Sequence, residues 1–202
     1  ADPSEVVGLD RGAIVVLDMD TLNTVAVYAG QKHPEELAVL LMQLGRWYHN
    51  AWEEVESNGV GLAVVQDLTR MYGYVLRDRN EQLLLPTEQP RPGVRITARN
   101  RDLLLSQLAE EIHQEATQLR DARLIEECQA FQLDANGRPS AGEGYHDDLV
   151  FARVHAGWAR HGLRPMLSKG HSDDYGLGEL TRKKTIRQRS QQLQRRHGVV
   201  SF

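Results

Sequence analysis

The first part of the chain begins with two β-rich segments and then changes to a helical pattern. Residues 10–18 and 23–29 are rich in valine and alanine and are separated by a short acidic turn, which predicts an antiparallel hairpin. Residues 33–48 carry a proline and acids first, and then apolar residues at i, i+3, i+4 and i+7 spacing. This spacing predicts an amphipathic helix of about three to four turns.

The next segments alternate between strand and helix. Residues 51–56 predict a short strand, residues 60–71 a second helix, and residues 74–77 another strand. Strands joined through a helix form right-handed crossovers and run parallel in one sheet. Together with the hairpin, these segments predict an α/β fold with a mixed sheet covered by helices.

The second part of the chain is mainly helical. Residues 79–100 are rich in proline and arginine and predict a long surface connection. The pattern then predicts a leucine-striped helix over 100–113, a short helix over 121–129, a strand over 130–134, a turn at Asn136 and Gly137, a loop containing Pro139, and a helix over 149–158.

Composition indicates one globular domain with an appendage. The chain has 202 residues, of which 41% are hydrophobic and 26% charged, a size that supports one good core. We expect a domain over 1–160 and a C-terminal extension over 161–202. The single Cys128 excludes an internal disulfide and a multi-thiolate zinc site, which is typical of a reducing cytosol. Without a long apolar run or a secretory pattern, the chain is expected to be soluble and not secreted.

Charge divides unevenly along the chain. The formal net charge is -4, but residues 1–180 hold 17 basic and 28 acidic groups, a net charge of -11, while residues 181–202 hold seven basic groups and no acidic one. Such a basic segment is typical of a solvated tail or a surface helix, and less often of a polyanion contact.

Four acids are candidates for chemistry. Asp147 and Asp148 open the last predicted helix, and Asp2 and Glu56 lie where strands are expected to end. Each has a simpler explanation: the aspartate pair suits the positive end of a helix dipole, and the other two suit exposed positions. Glu54 competes with Glu56, because alternate strand residues share a face.

Acids from separate elements become informative if they converge. Two divalent cations about 3.5 to 4 Å apart can activate a water molecule and stabilise the leaving oxygen in phosphodiester hydrolysis. Magnesium and manganese take carboxylate oxygens as ligands. Clustered carboxylates without a cation repel and raise one another's pKa, so a cluster of these acids predicts a metal site.

Five segments in this order and spacing resemble the nuclease domain of the large terminase subunits of tailed bacteriophages. They are the acidic and then valine-rich residues 2–17, Gly-Arg-Trp-Tyr at 45–48, Val-Glu-Ser-Asn at 55–58, Gly-Val-Arg-Ile-Thr at 93–97 with Arg101 before a leucine-rich helix, and His-Asp-Asp at 146–148. The resemblance covers about residues 1–157. It implies an RNase H-like mixed sheet flanked by helices on both faces, and a metal-dependent endonuclease that cuts concatemeric double-stranded DNA during genome packaging.

The resemblance also implies roles for individual residues. Asp2, Glu56 and Asp147 match the three metal-binding acids, Asp148 matches an additional acid beside the third, and the cofactor would be two Mg²⁺ or Mn²⁺ ions. Apart from the resemblance, His146 stands next to Asp147 and Asp148 in the sequence and is expected to contact the scissile phosphate or a metal ligand. The implied partners are double-stranded DNA, a terminase ATPase domain and the portal, in the cytoplasm of an infected bacterial host.

Basic residues offer two expected contacts. Arg91, Arg95, Arg99 and Arg101 are expected to form a local basic rim that binds DNA phosphates, and bound metals would offset the acidic centre. The basic segment over 181–202 has two interpretations, a DNA contact or, by the resemblance, a docking segment for the portal.

Two features depart from a complete terminase. The chain begins almost at Asp2, so the strand expected to hold Asp2 would lie upstream, unless the first three residues are a vector remnant. No Gly-x-x-x-x-Gly-Lys-Ser/Thr loop occurs, so we expect an isolated nuclease domain or a fragment that does not hydrolyse ATP. The alternatives are a Holliday-junction resolvase-like nuclease and a non-catalytic packaging module that docks to the portal.

Overall fold

The computed structural model describes residue 3 and residues 12–78, 91–134 and 137–168, with side chains up to residue 160 except that of Arg99. Asp2, residues 79–90, Asn136 and the basic tail therefore lie outside the described residues. The chain divides into two units, Ala1–Gly162 and Leu163–Phe202, and the description below concerns the first. The expected domain limits at 160 and 161 stay a prediction.

The predicted hairpin is confirmed. Strand β1 (Gly12–Leu17) pairs antiparallel with β2 (Thr24–Gly30), and Gly12 lies opposite Gly30. The register shifts between Val16 and Leu17, next to the turn.

The predicted helices are present in the described residues. They are α1 (Pro34–Trp47), α2 (Gly61–Met71), α3 (Ala98–His113), α4 (Ala122–Ala130) and α5 (Asp148–Ser168). Helix α5 continues beyond the predicted end at residue 158. It passes through Gly157 and Gly162, each of which costs a helix about 1 kcal/mol relative to alanine.

Three extended segments lie beside one another and are joined by isolated bridges. Glu53 pairs parallel with Val75, and Glu56 pairs parallel with Val94. The parallel direction agrees with the predicted strand, helix and strand order.

Part of the predicted surface connection belongs to this arrangement, which corrects the prediction for residues 92–94. Gly93 and Val94 are buried, and the Gly93 amide donates to the Leu76 carbonyl at 2.8 Å. Gly93 has a φ of +82°, and a Cβ there would lie 2.9 Å from Cγ2 of Val65. Only glycine combines this backbone conformation with so close an approach.

A second small hairpin precedes α5. Strand β3 (Phe131–Leu133) pairs antiparallel with β4 (Pro139–Ala141). The predicted strand over 130–134 is confirmed, while the prediction of a loop at Pro139 was wrong. The chain reverses through Gly137, which has a φ of +75° and donates its amide to the Asp134 carbonyl at 2.9 Å.

Two clusters of buried side chains lie on opposite faces of β1. Ile14 packs with α1 and α2 in the α1–α2 core, which includes Leu37, Leu41, Val55, Val64, Val65, Leu68 and Tyr72. Ala13 and Val15 pack with α3, α4 and α5 in the α3–α5 core, which includes Leu104, Leu108, Leu124, Leu149, Val150, Phe151 and Val154. Since successive strand residues point to opposite faces, the hairpin is covered by helices on both sides, and the predicted α/β class is confirmed.

One carboxyl group lies at the edge of the α1–α2 core. Glu53 is 9% exposed, and a Cβ added to Gly45 would lie 2.7 Å from its Oε1 and 2.6 Å from the Tyr72 hydroxyl. Burial raises the pKa of Glu53 to about 8, because a charged carboxylate is poorly solvated there. Glu53 is therefore largely protonated at neutral pH.

This protonation predicts a pH-dependent stability. The folded pKa of Glu53 exceeds the ordinary value of 4.5, so the folded state keeps a proton that the unfolded chain releases between pH 4.5 and about 8. The contribution of Glu53 to the free energy of unfolding should therefore fall as pH rises through this window, by at most about 1.4 kcal/mol per pH unit. Glu53→Gln should flatten the decline, measured by urea unfolding across the window. Glu126→Gln, at an exposed position, is the control, and an unchanged slope in Glu53→Gln would contradict the assignment.

Candidate active site

The extended segment at residues 53–56 presents acids on both faces. Glu53 and Val55 face the α1–α2 core, whereas Glu54 and Glu56 point away from it toward α5, as strand alternation requires. The Glu54 side chain is 3% exposed and that of Glu56 is 17% exposed. Glu54 thus occupies the deep position and Glu56 the more open one.

His155 of α5 lies between these two carboxylates. Its Nδ1 is 3.1 Å from Oε1 of Glu54, and its Nε2 is 3.4 Å from Oε2 of Glu56. The imidazole is fully buried. One ring therefore connects α5 to both acids of the extended segment.

Burial and hydrogen bonding oppose one another in this group. Burial raises the pKa of Glu54. Burial alone would lower the pKa of His155, but the hydrogen bonds to Glu54 and Glu56 outweigh it, so the pKa of His155 is raised. With one proton between Glu54 and His155 and another between His155 and Glu56, the three side chains together carry a net charge of -1. This charge is the same whether Glu54 or His155 holds the first proton.

The start of α5 is capped by a carboxylate from α4. Glu127 is 5% exposed and accepts hydrogen bonds from the amides of Leu149 at 2.8 Å and Val150 at 3.3 Å. A carboxylate at this end satisfies amides that have no partner within the helix and faces the positive end of the dipole. Glu127 thereby fixes where Asp147 and Asp148 stand.

Asp147 lies next to a guanidinium that is held by its surroundings. Nη2 of Arg101 is 3.7 Å from Oδ2 of Asp147, and Nη1 donates to the Pro139 carbonyl at 2.6 Å. The guanidinium also lies 4.8 Å over the centre of the Phe151 ring. Arg101 thus joins α3, β4 and the beginning of α5.

The remaining predicted site residues are His146 and the other three arginines of the basic rim. Nδ1 of His146 lies 3.6 Å from Oδ2 of Asp148, and the His146 side chain is 49% exposed. Arg91 and Arg95 are exposed. The Arg99 side chain lies outside the described residues.

The structure relates three of the predicted acids through one helix. Asp147 and Asp148 stand at the start of α5, and Glu56 contacts the same helix through His155. His155 follows Asp148 by two helical turns, about 10 Å along the axis. Asp2 lies outside the described residues, and the assignment of all four as site residues stays a prediction.

The carboxylate donors suit a hard divalent cation, although the residues that the structure describes form no complete ligand cluster. Glu56, Asp147 and Asp148 offer carboxylate oxygens, the ligands that magnesium and manganese prefer, and each side chain is partly exposed. Among residues 12–78, 91–134 and 137–168 together with residue 3, no three His, Cys, Asp or Glu side chains form a group that could hold a metal.

Sequence reasoning missed the two buried charged residues of α5, Arg153 and His155. Arg153, with its side chain 1% exposed, places Nη2 2.7 Å from Oε2 of Glu111 and 3.1 Å from Oγ1 of Thr117. Residues 149–155 are all buried, and charged side chains are rarely buried without a partner. An arginine and a histidine within this apolar run were therefore the available signal.

Comparisons with known proteins identify the fold. No protein-family model and no curated protein matches the sequence. The large terminase nuclease from thermophilic phage G20c matches the structure with a TM-score of 0.58 and 20% sequence identity, over 77% of this chain and 77% of that chain. At this identity the match establishes a shared fold, and it confirms the predicted resemblance at that level.

None of the helices in the described part of the chain has both the length and the apolar composition that a membrane span requires.

The cap on α5 predicts a graded loss of stability. Glu127→Ala removes the acceptor of two buried amides and should lower the free energy of unfolding by about 1 to 3 kcal/mol. Glu127→Gln keeps one acceptor oxygen and should cost less. Urea unfolding measures both. The adjacent exposed Glu126→Ala is the matched control, and equal stability of Glu126→Ala and Glu127→Ala would refute the role of the cap.

Proposed function

We propose that this chain is the endonuclease domain of a phage DNA-packaging terminase, with an RNase H-like mixed sheet flanked by helices on both faces. Its substrate would be concatemeric double-stranded DNA. The fold is shared with a large terminase nuclease. Within it, the observation that carries the proposal is that one helix relates three acids. Asp147 and Asp148 stand at the start of α5, and Glu56 contacts the same helix through His155.

The proposed ligand set is Asp2, Glu56 and Asp147, with Asp148 assisting, and it would hold two Mg²⁺ or Mn²⁺ ions. When bound, such ions activate water and stabilise the leaving oxygen of a phosphodiester. The partial exposure of Glu56, Asp147 and Asp148 supports this assignment, because a substrate and a cation must reach them. For Asp2, the support comes from its sequence neighbour Pro3. Gly61 lies beside the turn that follows Glu56, and a Cβ added to Gly61 would lie 3.4 Å from Cγ of Pro3.

The protein's own residues would orient these acids and balance their charge. His155 contacts Glu56, and Glu127 fixes the beginning of α5. Arg101 places a positive charge beside Asp147, which reduces repulsion among the carboxylates. His146, exposed beside Asp148, is proposed to contact the scissile phosphate.

DNA binding is proposed to use the basic rim of Arg91, Arg95, Arg99 and Arg101. Exposed cations bind DNA by neutralising phosphates and releasing counterions. Arg91 and Arg95 support this proposal by their exposure, whereas Arg101 is engaged with the protein. An ATPase domain, the portal and action in the host cytoplasm complete the proposed context, with residues 181–202 as the segment for portal or DNA contact.

The catalytic proposal is tested by removing the third acid. Asp147→Ala should abolish Mg²⁺- or Mn²⁺-dependent plasmid cleavage while circular dichroism shows an unchanged fold, because a metal ligand is lost. Asp20→Ala changes an exposed aspartate in the first hairpin turn and should cleave like the unaltered chain.

Full cleavage by folded Asp147→Ala would exclude the assignment. A preference for branched over linear duplex would instead favour a Holliday-junction resolvase-like nuclease. Absence of cleavage by the unaltered chain with any divalent ion, together with portal binding that requires residues 181–202, would favour a non-catalytic packaging module.

The basic rim predicts a change in the salt dependence of DNA binding. In an Asp147→Ala background, replacing Arg91 and Arg95 by alanine should weaken binding to duplexes of any sequence. It should also reduce the slope of log K against log salt by about 1.8, because two phosphate contacts are lost. Fluorescence anisotropy across a salt series measures both. Arg70→Ala removes an arginine that is 74% exposed on α2 and should leave the slope unchanged, whereas an unchanged slope in the double variant would place the DNA elsewhere.

A further inference from the structure

The three side chains of the Glu54–His155–Glu56 group lie at different depths, an arrangement that the proposed chemistry does not by itself require. His155 is fully buried, Glu54 lies at the deep end with 3% of its side chain exposed, and Glu56 lies at the open end with 17% exposed. The contact of His155 with Glu54, at 3.1 Å, is shorter than its contact with Glu56, at 3.4 Å. The ring is thus fixed on its buried side and presents Nε2 to the more open carboxylate.

We propose that His155 is a positioning residue that holds the carboxylate of Glu56 in place for a divalent cation, and that Glu54 fixes the ring of His155. This inference rests on the proposed function, because it assigns Glu56 to the cation site. It also distinguishes the two glutamates that share one face: Glu56 binds the cation and Glu54 supports it.

The geometry allows one imidazole to serve both acids. Alternate residues of an extended segment lie about 6.6 Å apart on the same face, so a ring between them can reach both side chains through its two nitrogens. The contact to Glu56 uses Oε2. A carboxylate offers about four lone-pair directions, so the same group can accept a hydrogen bond from His155 and bind a cation.

Positioning Glu56 in advance favours cation binding through entropy. A glutamate side chain loses conformational freedom when it is fixed, and this loss opposes binding. If His155 already fixes Glu56 in the folded protein, that cost is met during folding and does not reduce cation affinity. Hydrogen-bond partners of metal ligands commonly change metal affinity about 10- to 100-fold when they are removed.

A purely structural role for His155 makes a different prediction. The ring also connects α5 to the segment at residues 53–56, so its loss can lower stability without affecting the cation site. In that case a folded His155 variant would bind the cation as the unaltered chain does. Cation affinity in the folded protein therefore separates the two roles.

The experiment measures Mn²⁺ binding to the 202-residue chain by calorimetry without DNA, after circular dichroism has shown which variants are folded. His155→Gln should weaken Mn²⁺ binding by about tenfold, and Glu54→Gln should weaken it by a smaller factor. Glu53→Gln makes the same change on the opposite face of the same segment and should leave affinity unchanged. Saturating Mn²⁺ should restore most of the plasmid cleavage of His155→Gln, because the defect lies in cation binding.

A second measurement needs no metal. In the metal-free protein, Glu56→Gln should shift the Nε2 resonance of His155 in nitrogen NMR spectra, and Glu54→Gln should shift the Nδ1 resonance. Unchanged resonances in both variants would show that the contacts are absent in solution and would overturn the inference.

The outcomes separate this inference from the proposed function. If Glu56→Ala loses Mn²⁺ binding but folded His155→Gln keeps it unchanged, only the positioning role fails. If the unaltered chain binds no Mn²⁺ and cleaves no DNA, both fail. If His155→Gln does not fold, Glu54→Ala decides the question, because it removes the partner that fixes the ring, and unchanged Mn²⁺ affinity in that folded variant overturns the proposal.

Discussion

The burial of charge on α5 is the constraint on which the rest of the structure depends. Residues 149–155 are buried without interruption, and this run includes Arg153 and His155. A charged group removed from water destabilises a protein unless a partner compensates it. The sequence must therefore supply acids at fixed places around the helix. It supplies them to Arg153 and His155 from two elements, and an acid of a third element caps the start of the helix.

Each of these acids determines the position of a different neighbour. Glu111 brings α3 to Arg153, Glu127 brings α4 to the amides at the start of α5, and Glu54 brings the extended segment to His155. The packing around α5 is apolar and adaptable, but these hydrogen bonds are directional. They connect the α3–α5 core to the segment that borders the α1–α2 core.

The regular elements could be predicted from the sequence, because their periodicity is local. The valine-rich hairpin and the leucine stripes of α1 and α3 each carry their own signal. The segment at residues 92–94 could not be recognised, because its place depends on a positive φ at Gly93 and on contact with Val65, far away in the sequence. The strand at Pro139–Ala141 was likewise hidden, since its pairing with β3 depends on the reversal at Gly137.

The candidate site shows the same division. Glu56, Asp147 and Asp148 were singled out because they stand at the predicted ends of elements and match acids of the family that the sequence resembles, and their role as site residues stays a prediction. His155 was missed because nothing local distinguishes a histidine that packs in a core from one that bridges two carboxylates. Glu54 was recognised as a competitor of Glu56, and only the burial of each side chain separates a supporting residue from a candidate ligand.

The buried charges also constrain the register of α5. Sliding the helix by one turn moves each side chain about 5.4 Å along the axis. It would separate His155 from Glu54 and Glu56 and Arg153 from Glu111, and breaking a buried pair costs about 3 to 5 kcal/mol. The register of α5 therefore follows from its charges, and with it the distance at which Asp147 and Asp148 stand from Glu56.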